Sequence, residues 1–355
     1  MKKISIVGIQ GVPAKYGGFE SLVENIINYN KPSQIGYTIF CSGKEYDSSL
    51  LEYKGAKLIY LPLKANGYQS SLYDMFSLLK TPKDADDVLV LGVSGCLFLP
   101  IYRLFSSKKV IINIDGLEHR REKWGRFAKW FLRTSEAMAV KYADVIISDN
   151  KAIQDYVKFT YNKDSVLIAY GGDHVLRDIK DDRMCEILSN YGLSKWGYSF
   201  TVCRIEPENN CHHILKVFSL SGKELVFVGN WNKNEYGRNL KIQYSSCNNI
   251  HMLDAIYDVD VLYVFRRNAK YYVHGHSAGG TNPSLVEAMF FARPILAFDV
   301  VYNRETTHGQ AYYWRNEQEL SELLMRENLS GESMKAIALE EYTWKKIAAQ
   351  YEALY

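Results

Sequence analysis

Short continuous apolar runs alternate along the chain with segments whose apolar residues recur at helical spacing. ISIVGI (Ile4–Ile9) predicts a first strand, and Phe19, Leu22, Val23, Ile26 and Ile27 then repeat with the period of a helix. YTIF, KLIYLP, DVLVLG, KVIINI, DVIIS and SVLIAY predict further strands, with helical stretches between several of them. Strands that are apolar throughout and separated by crossover helices predict a parallel sheet covered on both faces. The pattern pauses at YGGDH, Tyr170 to His174, and restarts with YSFTVCRI, ELVFVGN, NIHML, VLYVF and PILAFD. The expectation is an α/β chain of two doubly wound, Rossmann-like domains, 1–173 and 174–339, joined near 172–180. The last stretch, TWKKIAAQYEALY, places Trp344, Ile347, Ala348, Tyr351 and Leu354 on one helical face, so 340–355 is expected to pack back on the first domain. Two such domains facing a cleft would turn the carboxyl ends of both sheets, where ligands bind in these folds, toward one site.

Composition narrows the picture. The 355 residues suit two domains of ordinary size, and 47% hydrophobic against 23% charged excludes disorder. Lys and Arg number 43 against 40 Asp and Glu, a net charge of +3, which argues against a dedicated nucleic-acid binder. The 27 tyrosines suit wet, sugar-binding surfaces. Six scattered cysteines without a C-x-x-C pair predict free thiols in a reducing cytosol. The apolar stretch of MKKISIVGIQG is too short for a signal-peptide core. The longest uncharged run, Val88 to Tyr102, holds Gly92, Gly95 and Pro100, and at 15 residues it falls short of a membrane span. It predicts a strand followed by a helix, and the protein is expected in the cytoplasm.

Four segments carry candidate chemistry. GIQGVPAKYGGFES (Gly8–Ser21) lacks both the G-x-G-x-x-G spacing and a P-loop lysine, yet Gly17 and Gly18 stand directly before a helix. Free amides and the helix dipole there would attract an anion or a hydroxyl, with Lys15 and Tyr16 beside them. In TVCRIEPENNCHHILKVF, Arg204 ends a strand, where it either meets a diphosphate or pairs with Glu206 or Glu208 at the surface. In YVHGHSAGGTNPSLVEAMFFARPILAFD, the polar run Gly279, Gly280, Thr281 and Asn282 leads to Pro283 and a helix from Ser284, whose first amides would face a phosphate. Glu287 lies one turn in, as a ribose ligand or as a solvated helix residue. His274 and His276 form H-x-H without a nearby Asp, Glu or Cys cluster, so no metal site is expected. Finally, EHRREKWGRFAKWFLR (Glu118–Arg133) holds six Lys or Arg and two Glu, with Trp124, Phe127, Ala128 and Phe131 on one face. It reads as a basic amphipathic helix, lying on a membrane surface or packed on the first sheet.

Arg204, the helix beginning PSLVEAM, YGGDH and WKKIAAQYEALY together resemble glycosyltransferase family 4, retaining enzymes of the GT-B fold that use nucleotide-diphosphate sugars. More narrowly, IQGVPAKYGGFE, DGLEHRREKWGRFAKWFLR, YADVIISDN, CRIEPENN and GHSAGGTNPSLVEAM resemble the bacterial polysaccharide branch that contains rhamnosyltransferases, over almost the full length. The resemblance implies that Arg204 binds the donor diphosphate and Glu287 the ribose. Gly17, Gly18, Asn209, His276, Gly279, Gly280, Thr281, Asn282 and Ser284 would shape the donor site. Lys15, Tyr16, Glu118, Arg120, Arg121 and Trp124 would lie on the acceptor or membrane side. The chain departs from the family in three places. Asn209 stands where a lysine usually follows the arginine, which leaves the phosphate charge to Arg204, the helix start at Ser284, and Lys15 or Arg266. Gly279 stands where a first glutamate touches the donor sugar, which would suit a 6-deoxy sugar. Asp115, in NIDGLEH, stands where many relatives carry a histidine, and would stabilise a developing oxocarbenium ion or merely cap its turn. The implied reaction is metal-independent, retaining transfer of rhamnose from dTDP-rhamnose to a lipid-diphosphate-linked saccharide in capsular or other surface polysaccharide synthesis, with peripheral membrane contact. The alternatives are a GT-B-fold sugar-nucleotide epimerase, using Asp115, His274 and His276, or a degenerate nucleotide-sugar-binding subunit.

Overall fold

The computed structural model describes residues 1–15, 17–29, 34–121 and 124–355, so Tyr16 lies outside the described residues. The chain divides into two compact units, Met1–Tyr170 with Trp344–Tyr355, and Gly171–Thr343. The break falls inside YGGDH, just before the 173–174 boundary read from the sequence, and the returning segment starts at Trp344 rather than at 340.

Strands of the first unit are β1 (Lys2–Val7), β2 (Ile35–Ser42), β3 (Glu52–Tyr53), β4 (Ala56–Leu61), β5 (Asp87–Leu91), β6 (Lys109–Asn113), β7 (Val145–Ser148) and β8 (Val166–Leu167). Among the described residues they form one sheet in the order β3-β4-β2-β1-β5-β6-β7-β8, parallel except for β3 against β4. Both faces of β1 are covered, which is why Ile4, Ile6 and Val7 are all apolar and at most 1% exposed. On one face the helix Gly18–Tyr29 and the terminal helix Trp344–Glu352 share a core in which Leu22, Val23 and Ile26 join Trp344, Ile347 and Tyr351. Tyr351 also accepts a hydrogen bond from Asn113 Nδ2 at the end of β6 (2.9 Å). The crossovers from β4 to β5, β5 to β6 and β6 to β7 all step the other way across the sheet. Right-handed connections therefore put the helices Ser70–Leu79, Leu99–Phe105 and Arg126–Tyr142 on the opposite face.

In the second unit, β9 (Tyr198–Val202), β10 (Glu224–Val228), β11 (Ile250–Leu253), β12 (Tyr271–His274), β13 (Ile295–Phe298) and β14 (Tyr312–Trp314) form a parallel sheet in the order β11-β10-β9-β12-β13-β14 among the described residues. Each unit is thus a Rossmann-like α/β domain. Strand order reverses between β1 and β5 in the first and between β9 and β12 in the second, the switch points at which ligands bind in such sheets.

Two elements differ from the sequence reading. VLYVF is not a strand but part of the helix Val259–Asn268, which Asp258 caps by accepting from the amides of Asp260 (2.9 Å) and Val261 (3.2 Å). A short apolar run suits a buried helix and a buried strand alike, and here the cap decides. The strand is the following YYVH. The basic stretch 118–133 is not one helix either. A short 3-10 turn, Glu118–Arg120, is followed by Gly125 in an extended conformation, where the helix Arg126–Tyr142 begins. Glycine has weak helical preference, and at this position it separates the two pieces. Among the described residues no helix is long and apolar enough to cross a membrane.

Candidate active site at the second switch point

The loops after β9 and β12 leave the sheet side by side and are laced together. Asn209, only 3% exposed, donates from Nδ2 to the carbonyl of Arg204 (2.7 Å). With the amide so oriented, its Oδ1 accepts from Nδ1–H of His276 (2.8 Å), which fixes the tautomer of that buried imidazole. Asn210 Nδ2 donates to the carbonyl of Gly275 (2.8 Å), and the Ser277 amide and hydroxyl both donate to the carbonyl of Glu208 (2.9 and 2.8 Å). Asn303 Nδ2 donates to the carbonyl of His276 (2.8 Å). A Cβ at Gly275 would lie 2.1 Å from the Asn209 carbonyl oxygen, so only glycine lets these loops approach. The structure thereby brings together Arg204, Asn209 and His276. Arg204 sits two residues past β9 and is half-buried. Asn209 is the buried pin of the loop, and the position that carries a lysine in the resembling family supplies no cation here.

The helix Pro283–Met289 begins where the sequence placed it, but its first amides are not open. Asn282 Oδ1 accepts from the Ser284 amide (3.0 Å) and hydroxyl (2.7 Å), and the Asn282 carbonyl accepts from Leu285 (3.0 Å) and Val286 (3.2 Å). Pro283 has no N–H. The expected row of free donors is therefore used by the cap residue itself. The preceding run is packed rather than loose: Gly279, Gly280 and Thr281 are all buried.

Glu287 is neither a solvated helix residue nor unaccompanied. Its carboxylate pairs with Arg266 of the helix Val259–Asn268 and lies 3.5 Å from His174 Nε2, in the YGGDH segment. Arg266 is 5% exposed and committed to this ion pair, so it is not the spare phosphate cation that the sequence reading allowed. Burial lowers the pKa of His174, with Glu287 acting in the opposite sense. His174 was missed as a site residue because YGGDH reads only as a hinge. His274 is 2% exposed and burial lowers its pKa to about 3, which keeps it neutral and unsuited to act as a general acid. Among the described residues no group of three or more His, Cys, Asp or Glu is placed to hold a metal ion.

The first switch point has a different chemistry. The Glu20 carboxylate, 6% exposed, accepts from the Gln10 amide (2.8 Å), and Glu24 accepts from the Ala14 amide (2.6 Å). Gly17 packs against Glu20, and a Cβ there would lie 2.0 Å from its Oε2. The expected anion site before the helix Gly18–Tyr29 is thus filled by the protein's own carboxylates. Burial raises the pKa of Glu20, opposed by its backbone hydrogen bonds. Lys15 donates to the Glu45 carbonyl (3.3 Å) and lies 4.3 Å from the Tyr46 ring centroid. Asp115, half-buried, has a positive φ of 59°, and its amide donates to Asn113 Oδ1 (3.0 Å), so Asn113 braces this turn. Asp115 and Asp149 both raise the pKa of the buried Tyr170 hydroxyl after burial itself, which places two acids of the β6 and β7 ends near one ring.

Glu118, Arg121 and Trp124 bind one another. Glu118 accepts from Arg121 (2.9 Å) and from Trp124 Nε1 (3.0 Å), and Arg121 is 7% exposed, so these side chains brace their loop rather than project as an anchor. Arg120 is exposed and lies 4.8 Å from the centroid of the Tyr156 ring. No local pattern marks the group beside it: Glu136, 1% exposed, is bonded to His119 Nδ1 (3.0 Å) and accepts from the hydroxyls of Tyr156 and Tyr161 (both 2.8 Å).

Residues 194–318 match the family of glycosyl transferases group 1, and residues 1–173 match a domain of unknown function, DUF1972. No curated protein sequence matches the chain. Among solved structures, sucrose-phosphate synthase from Thermosynechococcus elongatus is similar over 100% of this chain and 98% of its own, with a TM-score of 0.82 at 14% identity. Anabaena HepE, solved with UDP and glucose, is similar over 100% of this chain and 99% of its own, with a TM-score of 0.80 at 16% identity. A putative UDP-N-acetylglucosamine 2-epimerase from Listeria monocytogenes is similar over 99% of this chain and 95% of its own, with a TM-score of 0.62 at 16% identity. The chain has the GT-B fold, and its second unit carries a glycosyltransferase group 1 domain.

Proposed function

We propose that this chain is a hexosyltransferase that moves a sugar from a nucleoside diphosphate to a saccharide hydroxyl with retention at the anomeric carbon. The observation that carries the reading is Arg204 held beside the Asn209–His276 pin at the β9/β12 switch point, inside the glycosyltransferase group 1 match. Arg204 would neutralise charge growing on the leaving diphosphate, from a position already set by its own carbonyl's bond to Asn209. The acceptor oxygen would bond to the anomeric carbon from the side that the phosphate leaves, and its proton would pass to the departing phosphate oxygen. No step of this scheme calls for a metal. Glu287 is oriented by Arg266 and His174, and a carboxylate has lone pairs beyond those two contacts with which to accept ribose hydroxyls.

We assign rhamnose from dTDP-rhamnose as the donor and a lipid-diphosphate-linked saccharide as the acceptor, in surface polysaccharide synthesis. Gly279 in place of a carboxylate supports a sugar with one hydroxyl fewer. UDP-glucose is the comparison donor to test, since Anabaena HepE was solved with it. Thermal stabilisation by a panel of nucleotide sugars reads out donor choice, because a ligand that binds the folded chain raises its melting temperature by mass action. A shift with UDP-glucose and none with dTDP-rhamnose overturns the assignment. Binding without transfer to any saccharide acceptor would favour the non-catalytic subunit. Epimerisation is disfavoured by the neutral, buried His274 and by the locked ring of His276.

A further inference from the structure

The loop that carries Arg204 is bounded by two cysteines. Cys203 directly follows β9, and Cys211 is the first residue of the helix Cys211–Ser221. Their sulfurs are bonded to one another at 4.0 Å. Cys203 is half-buried and Cys211 is buried. Among the described residues no other cysteine sulfur meets another, and Cys185, the exposed one, has no such partner. The Cys211 thiol donates to the Glu206 carbonyl (3.7 Å) and also reaches the Arg204 carbonyl (4.0 Å), which accepts from Asn209 Nδ2 (2.7 Å). With its one proton so used, Cys211 is the acceptor of the sulfur–sulfur bond and Cys203 the donor.

A disulfide needs its sulfurs about 2.05 Å apart, so closing this gap takes a movement of about 2 Å. The strand side cannot supply it. The Cys203 amide donates to the Val228 carbonyl (3.3 Å), and a Cβ at Gly229 would lie 2.9 Å from the Cys203 carbonyl oxygen and 2.4 Å from Ile205 Cδ1. The movement therefore falls on Cys211. Turning its sulfur to Cys203 takes it from the Glu206 carbonyl and draws the helix start across the turn that holds Arg204 and Asn209. The oxidant would be a low-molecular-weight disulfide of the glutathione class. Cys203, the reachable sulfur, attacks it as a thiolate and releases one small thiol, and Cys211 then displaces the second small thiol from Cys203. Two protein thiols become one disulfide, their hydrogens end on the two released thiols, and two electrons pass to the oxidant. The bond to Cys211, and then burial, hold the Cys203 thiol above the usual thiol range, while the Arg204 cation acts in the opposite sense. The pair is therefore slow to react, and a diphosphate that neutralises Arg204 makes it slower.

We propose that Cys203 and Cys211 form a reversible oxidation site, whose disulfide displaces Arg204 and weakens diphosphate binding. This rests on the proposed function in that Arg204 is read there as the diphosphate ligand. The test treats the reduced full chain with glutathione disulfide, blocks the remaining thiols and maps the tryptic peptides. Trypsin cuts after Arg204, so the bond joins two peptides that dithiothreitol separates. Affinity for dTDP and for UDP is measured on both forms. The linked pair should form in the wild type and in Cys185→Ser, and in neither Cys203→Ser nor Cys211→Ser, which when reduced should melt and bind nucleotide as the wild type does. Oxidation should weaken nucleotide binding about tenfold or more, dithiothreitol should restore it, and bound nucleotide should slow formation of the bond. The proposal is overturned if Cys185 becomes a mixed disulfide while Cys203 and Cys211 stay unlinked. It is also overturned if the linked chain binds nucleotide as the reduced chain does, or if Cys203→Ser and Cys211→Ser lose binding under the same treatment. The peptide map is read without ligand or turnover. A reduced chain that binds neither nucleotide rejects the reading of Arg204, while the linked peptides still decide the oxidation site.

Discussion

The loop after β1 and the loop after β12 look alike as sequence, each a glycine pair and polar residues before a helix, yet the fold makes them opposites. The first is closed by Glu20 and Glu24, which reach back from the following helix and accept from the loop amides of Gln10 and Ala14, with Asp115 and Asp149 near the same sheet edge around Tyr170. The second holds its one acid, Glu287, in an ion pair with Arg266 and sets Arg204 beside a neutral Asn–His pin. A glycine-rich turn before a helix is therefore not in itself an anion site. What decides is whether the protein's own carboxylate or cap residue has already taken the amides.

This contrast can be broken in order of expected effect. Asn209→Lys would place a cation in a buried, fully bonded position and break the contacts to Arg204 and His276. We expect a loss of roughly 3 kcal/mol of stability with no gain in donor affinity. A stable variant that binds donor more tightly would show that the pin is dispensable. Arg204→Ala should cost about 100-fold in transfer, ~2.7 kcal/mol in the barrier, with little change in melting temperature. Wild-type rates would remove Arg204 from the site. In the first unit, Gly17→Ala forces a residue with a φ of 117° against the Glu20 carboxylate and should destabilise by about 1–3 kcal/mol, read by denaturant melts. A neutral outcome would mean that the acid-closed loop is looser than its contacts imply.

The pH dependence of stability separates the units by sign rather than by size. Burial raises the pKa of Asp74 from 3.8 to about 7, so the folded chain holds that proton longer than the unfolded one. Its contribution to stability is full below about pH 4 and falls as pH rises to about 7, at up to about 1.4 kcal/mol per pH unit. Burial lowers His274 from 6.5 to about 3, so the unfolded chain binds the proton first, and stability falls as pH drops from about 6.5 toward 3. Calorimetric melts of the full chain against pH should show Asp74→Asn flattening the first slope and His274→Gln the second. A variant that leaves its own slope in place would rule out that group as the cause.

Much of the fold was legible because fully buried parallel strands must be apolar on both faces. ISIVGI, DVLVLG, KVIINI and ELVFVGN could be little else. VLYVF was not legible, because five apolar residues fit a helix as well as a strand and the Asp258 cap settled the matter. YYVH was hidden because its two polar-capable tyrosines and a histidine look like loop, although all four of its residues are buried in the sheet. Of the candidate site, Arg204, His276 and Glu287 could be chosen by residue type at strand and helix ends. His174, Gly275 and Asn210 could not, since each acts through a residue remote in the chain or through a close backbone approach.

The sequence by itself determined two parallel α/β units and the turns at which their chemistry would lie. Periodicity and turn chemistry are local, and they survive without knowledge of neighbours. Only the tertiary structure decided which amides stay open, which cations are already neutralised, and which apolar side chains remain outside. Those properties belong to pairs of residues tens or hundreds of positions apart, such as Asn209 with His276, Arg266 with Glu287 and Asn113 with Tyr351, which meet only once each unit is folded.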